Sequence, residues 1–320
     1  MTPLAHPVLI SMLVAASLPA QADSAFRCSE YGAPPMQTVE PVTKRPKCLQ
    51  GQVLSYDQDN ITRYACLNTP KQVRGTQEGS RKWPLLIYLH GSRTTPDSLY
   101  LEGHELFELH NTYPLSPEAG VEGFLILSPE GRRAKVWPSS SPTTGEGFHW
   151  DEWYRNPKDN LDVQAIDHFL DEVMASGWVD PKRVYVFGWS NGAYMAALYA
   201  SWRRERIAAV GQYAGANPWS RPPCPVALPA DPPPPLTLMR NLCDALVPCT
   251  TTNDWIKTQQ ARGWTFEYTN LDARGRATQR DAACTASCGK AKGIAEHVRW
   301  PGKDVLTRSL LEWFKGKALP

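Results

Sequence analysis

The chain reads as an α/β protein built on one mostly parallel central sheet with helices on both faces. Two observations carry this reading. Short β-branched and apolar runs alternate with segments whose apolar residues recur at helical spacing, over most of the length. Between one such run and one such segment stand Gly188-Trp189-Ser190-Asn191-Gly192, a glycine-bounded turn of the kind that needs a strand before it and a helix after it.

In chain order, residues 23–50 form an irregular, proline-containing segment. Gln52–Tyr56 and Ile61–Cys66 follow as paired strands joined by the polar turn Asp57–Asn60. After a charged loop over Lys71–Lys82, Trp83–Leu89 is a buried strand ending in His90-Gly91-Ser92, and Phe124–Ser128 is another, stopped by Pro129. From Leu161 to Ser176, Ile166, Phe169, Leu170, Val173 and Met174 keep helical spacing, with Asn160 as N-cap and Gly177 just past the end. Asp180-Pro181 turns the chain into the strand Arg183–Phe187, and Ala193–Ser201 is the helix beyond the glycine-bounded turn. Ile207–Tyr213, Leu236–Met239 and Trp264–Tyr268 are further strands, and Val305–Lys315 is a closing amphipathic helix. The proline-rich stretch Asn217–Pro235 interrupts this series, but strands of the same series flank it, which makes it a stiff loop over one domain.

With 320 residues, 42% of them hydrophobic, the chain can bury a substantial core. A formal charge of +2 gives no field that would argue for nucleic acid or an anionic membrane as partner. Residues 1–22 carry no Lys, Arg, Asp or Glu, are apolar from Pro7 to Leu18, and end in Ala20-Gln21-Ala22; they read as a signal peptide. That apolar run falls short of the ~20 residues of a spanning helix. The expectation is an exported protein, secreted or periplasmic, with no integral membrane association.

The 8 cysteines suit that destination as disulfides. Cys28, Cys48 and Cys66 lie near the start, and Cys224, Cys243, Cys249, Cys284 and Cys288 in the last third. Three against five means that complete pairing needs a bridge between the groups, tethering residues 23–50 to the domain formed by residues 51–320. Within the second group, Cys243 and Cys249 are expected to pair with Cys284 and Cys288. No pair has Cys-x-x-Cys spacing, so no metal site is expected.

A serine hydroxyl becomes a nucleophile when a histidine takes its proton, and that histidine needs a carboxylate to fix its tautomer. After the turn described above, the chain order is serine, acid, histidine. His297 is the one histidine C-terminal to Ser190, so the base is named by elimination. Of the intervening acids, Asp244 directly follows a buried strand, with Asp272 as the second candidate. The oxyanion donors are then the main-chain N–H groups of Asn191 and Ser92, Gly91 allowing close approach. His90 stands before that loop and reads as structural.

Leu89-His90-Gly91-Ser92, Asp180-Pro181 through Gly188-Trp189-Ser190-Asn191-Gly192-Ala193, Asp244-Ala-Leu-Val-Pro248 and His297-Val-Arg-Trp300-Pro301-Gly302 resemble the polyhydroxyalkanoate depolymerase and feruloyl esterase group of secreted α/β-hydrolases. The likeness spans roughly residues 50 to 318 and includes Asn160-Leu-Asp162-Val163. It implies the α/β-hydrolase fold, Asp244 as the acid in an Asp-x-x-Val-Pro context, and His297 as the base ahead of Trp-Pro-Gly. The group often has cysteine where Ser92 stands, and a glycine-rich approach to the histidine where this chain has Gly293-Ile-Ala-Glu-His297. Those departures bear on substrate rather than on Ser190, Asp244 and His297.

A loop from Lys135 to Asn160 holds Trp137, Trp150, Trp153 and Tyr154, while Trp189 sits beside the serine and Trp219 follows a later strand. Trp189, Trp150 and Trp300 are the candidates for an apolar wall against substrate, although tryptophans also fill cores. The resulting expectation is a secreted serine carboxylic-ester hydrolase working through an acyl-enzyme, with no cofactor. Its partner is an ester, small or polymeric: a hydroxyalkanoate polyester, or a feruloyl or acetyl ester. The alternatives are a serine peptidase on the same fold and an extracellular binding protein on a hydrolase scaffold.

Overall fold

The computed structural model describes residues 27–73, 81–101, 103–135, 146–280, 282–284 and 290–320. The expected signal peptide, Trp137, Ser139–Thr144 and Cys288 lie outside these residues.

The strands are β1 (Gln37–Thr38), β2 (Gln52–Gln58), β3 (Ile61–Asn68), β4 (Trp83–Leu89), β5 (Leu125–Pro129), β6 (Arg132–Lys135), β7 (Gly147–His149), β8 (Val179–Trp189), β9 (Ala209–Tyr213), β10 (Leu236–Asn241) and β11 (Phe266–Leu271). The helices are α1 (Ser98–Leu101), α2 (His104–Leu109), α3 (Leu161–Ala175), α4 (Asn191–Trp202), α5 (Cys249–Ala261), α6 (Lys290–Val298), α7 (Lys303–Leu306) and α8 (Glu312–Lys315), the last two joined by a wider π turn over Thr307–Leu311. An 8-stranded sheet in the order β11-β10-β9-β8-β4-β5-β3-β2 forms the centre. All of its pairings are parallel except those of β3, which runs against both its neighbours.

Strand alternation splits the core into two layers. In β4, Leu85, Ile87 and Leu89 face the layer packed by α3, α4 and α5, while Leu86 and Tyr88 face the layer packed by α1, α2, α7 and α8. β8 repeats the pattern, Val184 and Val186 on the first side, Tyr185, Phe187 and Trp189 on the second. Both faces are therefore covered, as an apolar parallel sheet requires. Asn160 caps α3, its side chain accepting from the N–H groups of Asp162 and Val163.

Several boundaries differ from the sequence expectation. Asp180-Pro181 is part of β8 rather than a turn before it: Trp83 pairs with Val179 but Leu85 with Val184, so a bulge takes up the extra residues and hosts a proline that has no N–H to donate. Pro129 closes β5 from within the strand instead of stopping it. A second sheet, β1-β6-β7, has no counterpart in the sequence reading, its strands being too short to show a period.

The N-terminal segment is fastened to the domain covalently and by hydrogen bonds. Cys28 is bonded to Cys224, the expected bridge between the two cysteine groups, and Cys48 to Cys66. Cys249 is bonded to Cys284, as expected; the pairing expected of Cys288 lies outside the described residues. The Met36 N–H donates to Asp151 and the Lys44 N–H to Glu130. Among the described residues no helix is long and apolar enough to cross a membrane.

Candidate active site

β8 delivers Ser190 to the carboxyl edge of the sheet at φ 55°, ψ −119°, and α4 begins at the next residue. This left-handed conformation is costly for a residue with a Cβ, and the surrounding backbone holds it. The Ser190 N–H donates to Tyr213 O on β9 at 2.9 Å. A Cβ at Gly188 would run into the Gly192 carbonyl, and one at Gly192 into the carbonyls of Leu89 and His90, so each glycine is required by close approach.

His297, in the last turn of α6, places Nε2 2.9 Å from Ser190 Oγ and Nδ1 2.6 Å from Asp244 Oδ2. Asp244 lies in the loop after β10, and its other oxygen accepts the N–H groups of Leu246 and Val247, both at 2.8 Å. One carboxylate oxygen thus orients the acid and the other is left for the imidazole. With Nδ1–H donating to Asp244, Nε2 is the acceptor facing the serine hydroxyl, the tautomer that proton removal from Ser190 needs. Asp272, the second candidate acid, is turned away to Arg276 and the N–H groups of Arg274 and Arg276.

Two aromatic donors from the sheet fix the segment carrying His297. The Trp189 indole donates to His297 O at 3.2 Å, and the Tyr213 hydroxyl donates to Arg299 O. α6 also packs against the loop that carries Asp244 at Gly293, where a Cβ would strike Ala245.

Asn191 is the first residue of α4, where a helix N–H has no partner within its own helix. Its side chain exchanges hydrogen bonds with the main chain of Trp150, at 2.7 and 3.0 Å. Ser92 follows Gly91, which lies so close to the Trp189 ring that a Cβ would reach it. His90 braces this loop: its Nε2 accepts from the Gly131 N–H at 3.0 Å, so Nδ1 carries the proton donated to Gly91 O at 2.8 Å. Burial lowers its pKa to about 4, which keeps the ring neutral near neutrality, in line with the structural reading of this histidine.

Two of the three tryptophans expected to form a substrate wall, Trp150 and Trp189, are buried instead. Trp150 is wholly enclosed, with its indole N–H on His90 O at 2.9 Å, and has no face open to a ligand. Trp189 is 4% exposed and serves as the tie to His297. Trp300 is half-buried and packs among Tyr88, Phe187, Trp189 and Tyr213. The alternating pattern of β8 accounts for this, since Trp189 shares the Tyr185 and Phe187 face.

The sequence set Asp162 in a resembling segment without giving it a role, and carried no signal for the groups that surround it. Asp162 is fully buried and takes Arg63 at 2.9 Å, Arg132 at 3.0 Å and the Asp151 N–H at 2.8 Å. Burial pushes its carboxyl up, but the two guanidiniums outweigh that and hold it below its ordinary value. Glu152, also enclosed, ion-pairs with Arg221 and accepts from Asn191 Nδ2 at 3.4 Å. The single hint of Glu152 was an acid among the aromatics of the Lys135–Asn160 loop.

The model of the prolyl oligopeptidase family matches residues 135–221, a stretch that contains Ser190 but neither Asp244 nor His297. Among solved structures, a thermostable esterase is similar with TM-score 0.55 and 16% identity over 85% of this chain; the chain spans 64% of that protein's length. A CE1 ferulic acid esterase from Anaeromyces mucronatus is similar with TM-score 0.50 and 15% identity, over 86% of this chain and 97% of that one. Esterase 2 of Thermogutta terrifontis, in a structure phosphoramylated by tabun, is similar with TM-score 0.50 and 13% identity, over 86% of this chain and 98% of that one. No curated protein sequence matches the chain. The chain has the α/β-hydrolase fold.

Proposed function

We propose that this protein is a secreted serine esterase. The observation that carries the reading is the unbroken chain Ser190 Oγ, His297, Asp244, at 2.9 and 2.6 Å, on a strained turn at the sheet's carboxyl edge. Ser190 Oγ attacks the ester carbonyl while His297 Nε2 takes its proton, and Asp244 stabilises the imidazolium. The oxyanion lies between the N–H groups of Asn191 and Ser92. His297 then gives the proton to the departing alkoxide, and water repeats the sequence on the acyl-enzyme to release the acid and restore Ser190.

The solved relatives bearing the names esterase and ferulic acid esterase support ester over amide, and the sequence motifs support a hydroxyalkanoate polyester or feruloyl-type ester as substrate. Three disulfides among the described residues support an oxidising compartment, hence export. The test is turnover of p-nitrophenyl esters, methyl ferulate and polyester film by wild type and Ser190→Ala. Undiminished turnover by the variant would overturn the reading.

The family model over residues 135–221 favours a second reading, a serine peptidase on the same fold. Matched ester and anilide substrates separate the two. A binding protein with a silent site would leave Ser190 unlabelled by a fluorophosphonate probe in folded protein.

A further inference from the structure

Two main-chain N–H groups serve one oxyanion only when both point at the same spot, ~2.7–3.1 Å from it. Their directions are set locally, because a trans peptide N–H points opposite the carbonyl of its own plane. The Asn191 N–H shares its plane with Ser190 O, which takes the N–H groups of Ala193 at 2.9 Å and Tyr194 at 3.3 Å. The Ser92 N–H shares its plane with Gly91 O, which takes the His90 Nδ1–H and the Thr94 hydroxyl, both at 2.8 Å. Among the described residues neither the Asn191 N–H nor the Ser92 N–H has an acceptor of its own.

Direction alone does not make an oxyanion hole, since the two planes also need a fixed separation. They stand on different segments, one after β4 and one at the head of α4. A single residue is bonded to both segments. Trp150 gives its main-chain N–H to Asn191 Oδ1 at 2.7 Å and takes Asn191 Nδ2 on its carbonyl at 3.0 Å, while its indole N–H donates to His90 O at 2.9 Å. Its ring also lies against the His90 imidazole, the centroids 5.0 Å apart. Trp150 is held in turn: it is wholly enclosed, and the N–H of the next residue, Asp151, donates at 2.8 Å to Asp162, the carboxylate gripped by Arg63 and Arg132.

We propose that Trp150 is a positioning residue that fixes the separation of the two oxyanion donors. Being enclosed, it acts through Asn191 and His90 rather than on substrate. The inference rests on the esterase reading above, with Ser92 and Asn191 as the donors.

Two variants cut the brace at its two ends. Trp150→Phe keeps a buried ring and deletes the bond to His90 O; Asn191→Ala keeps the main-chain N–H of residue 191 and deletes both bonds to Trp150. Each is assayed for turnover of p-nitrophenyl butyrate and for inhibition by an aryl trifluoromethyl ketone, which adds to a nucleophilic serine as a tetrahedral oxyanion. Acylation and deacylation both pass through an oxyanion, so kcat is expected to fall by ~10-fold at nearly constant KM, less than the ~100- to 1000-fold cost of losing a donor outright. The inhibition constant should rise by the same factor as kcat/KM falls, because the ketone adduct resembles the transition state. The pH dependence of kcat/KM should keep its wild-type shape, the Ser190–His297–Asp244 chain being untouched. A variant that merely holds less folded protein would lose kcat with its inhibition constant unchanged. That result in whichever variant folds, or a raised KM with kcat intact, or an altered pH profile, overturns the proposal. If wild type cleaves no ester the esterase reading fails; if it does, and a folded variant equals it in kcat and inhibition, only the role of Trp150 fails.

Discussion

The indole N–H of Trp189 donates to the main-chain carbonyl of His297 at 3.2 Å, so the residue before the proposed nucleophile holds the residue proposed as its base. Strand β8 thereby sets both ends of the Ser190–His297 hydrogen bond. Trp189→Phe keeps most of the buried ring and deletes that donor. Its kcat is expected to fall by ~10-fold with little change in KM, within the ~100-fold that a displacement of about 1 Å can cost. Steady-state kinetics check this. A rise in KM with kcat unchanged would mean that Trp189 contacts substrate instead.

Asp244→Asn separates charge from geometry. The amide can still occupy the loop and accept the N–H groups of Leu246 and Val247, but it can present its NH2 to His297 and reverse the tautomer. A loss of ~10⁴ in kcat is expected, as in other triads of this type. Because Asp272 is committed to Arg276, Asp272→Asn should leave kcat within about twofold; a comparable loss there would reassign the acid.

The sequence made the hydrogen-bonded chain legible because each of its parts sits in a constrained local setting. Ser190 has a strand before it and a helix after it, Asp244 follows a buried run, and His297 has no competing histidine downstream. What was not legible depends on the direction of side chains and on contacts remote in sequence. Trp150 and Trp189 looked like a substrate wall because both lie near the site; strand parity turns Trp189 inward, and the Trp150 ring is enclosed with its indole N–H on His90 O. Helix α5 was missed because its buried positions include Thr252 and Gln259, which blur the apolar period. The Arg63–Asp162–Arg132 cluster joins residues far apart along the chain, and no local pattern announces it.

The bridge between Cys28 and Cys224 closes 196 residues of sequence and anchors the N-terminal segment beside the Arg155 guanidinium, which donates to Cys224 O at 2.8 Å. Replacing both cysteines by alanine is expected to lower unfolding stability by ~2–5 kcal/mol. Chemical denaturation under non-reducing conditions measures it. If the double variant melts with wild type, the segment is held by its hydrogen bonds to Asp151 and Glu130 rather than by the disulfide.

Two buried groups impose opposite pH dependences on stability. Burial raises the Glu130 carboxyl to about 8, against an unfolded value of ~4.3, so the folded state keeps a proton that the unfolded chain releases and stability declines as pH rises across that window. Burial lowers His90 to about 4, against ~6.5 unfolded, so here the unfolded chain binds the extra proton and stability is lost as pH falls from ~6.5 toward 4. Between ~4.3 and ~6.5 the two slopes oppose each other; between ~6.5 and 8 only that of Glu130 remains. Glu130→Gln retains an acceptor for the Lys44 N–H and removes the titration. Relative to wild type, it should gain stability progressively from pH ~6.5 to 8, by no more than ~1.4 kcal/mol per pH unit, and lose more steeply on acidification, where His90 is no longer offset. Urea denaturation at a series of pH values gives the difference curve. A flat difference above pH ~6.5 would show that Glu130 is already ionised in the folded protein, with Lys44 and Arg63 outweighing its burial.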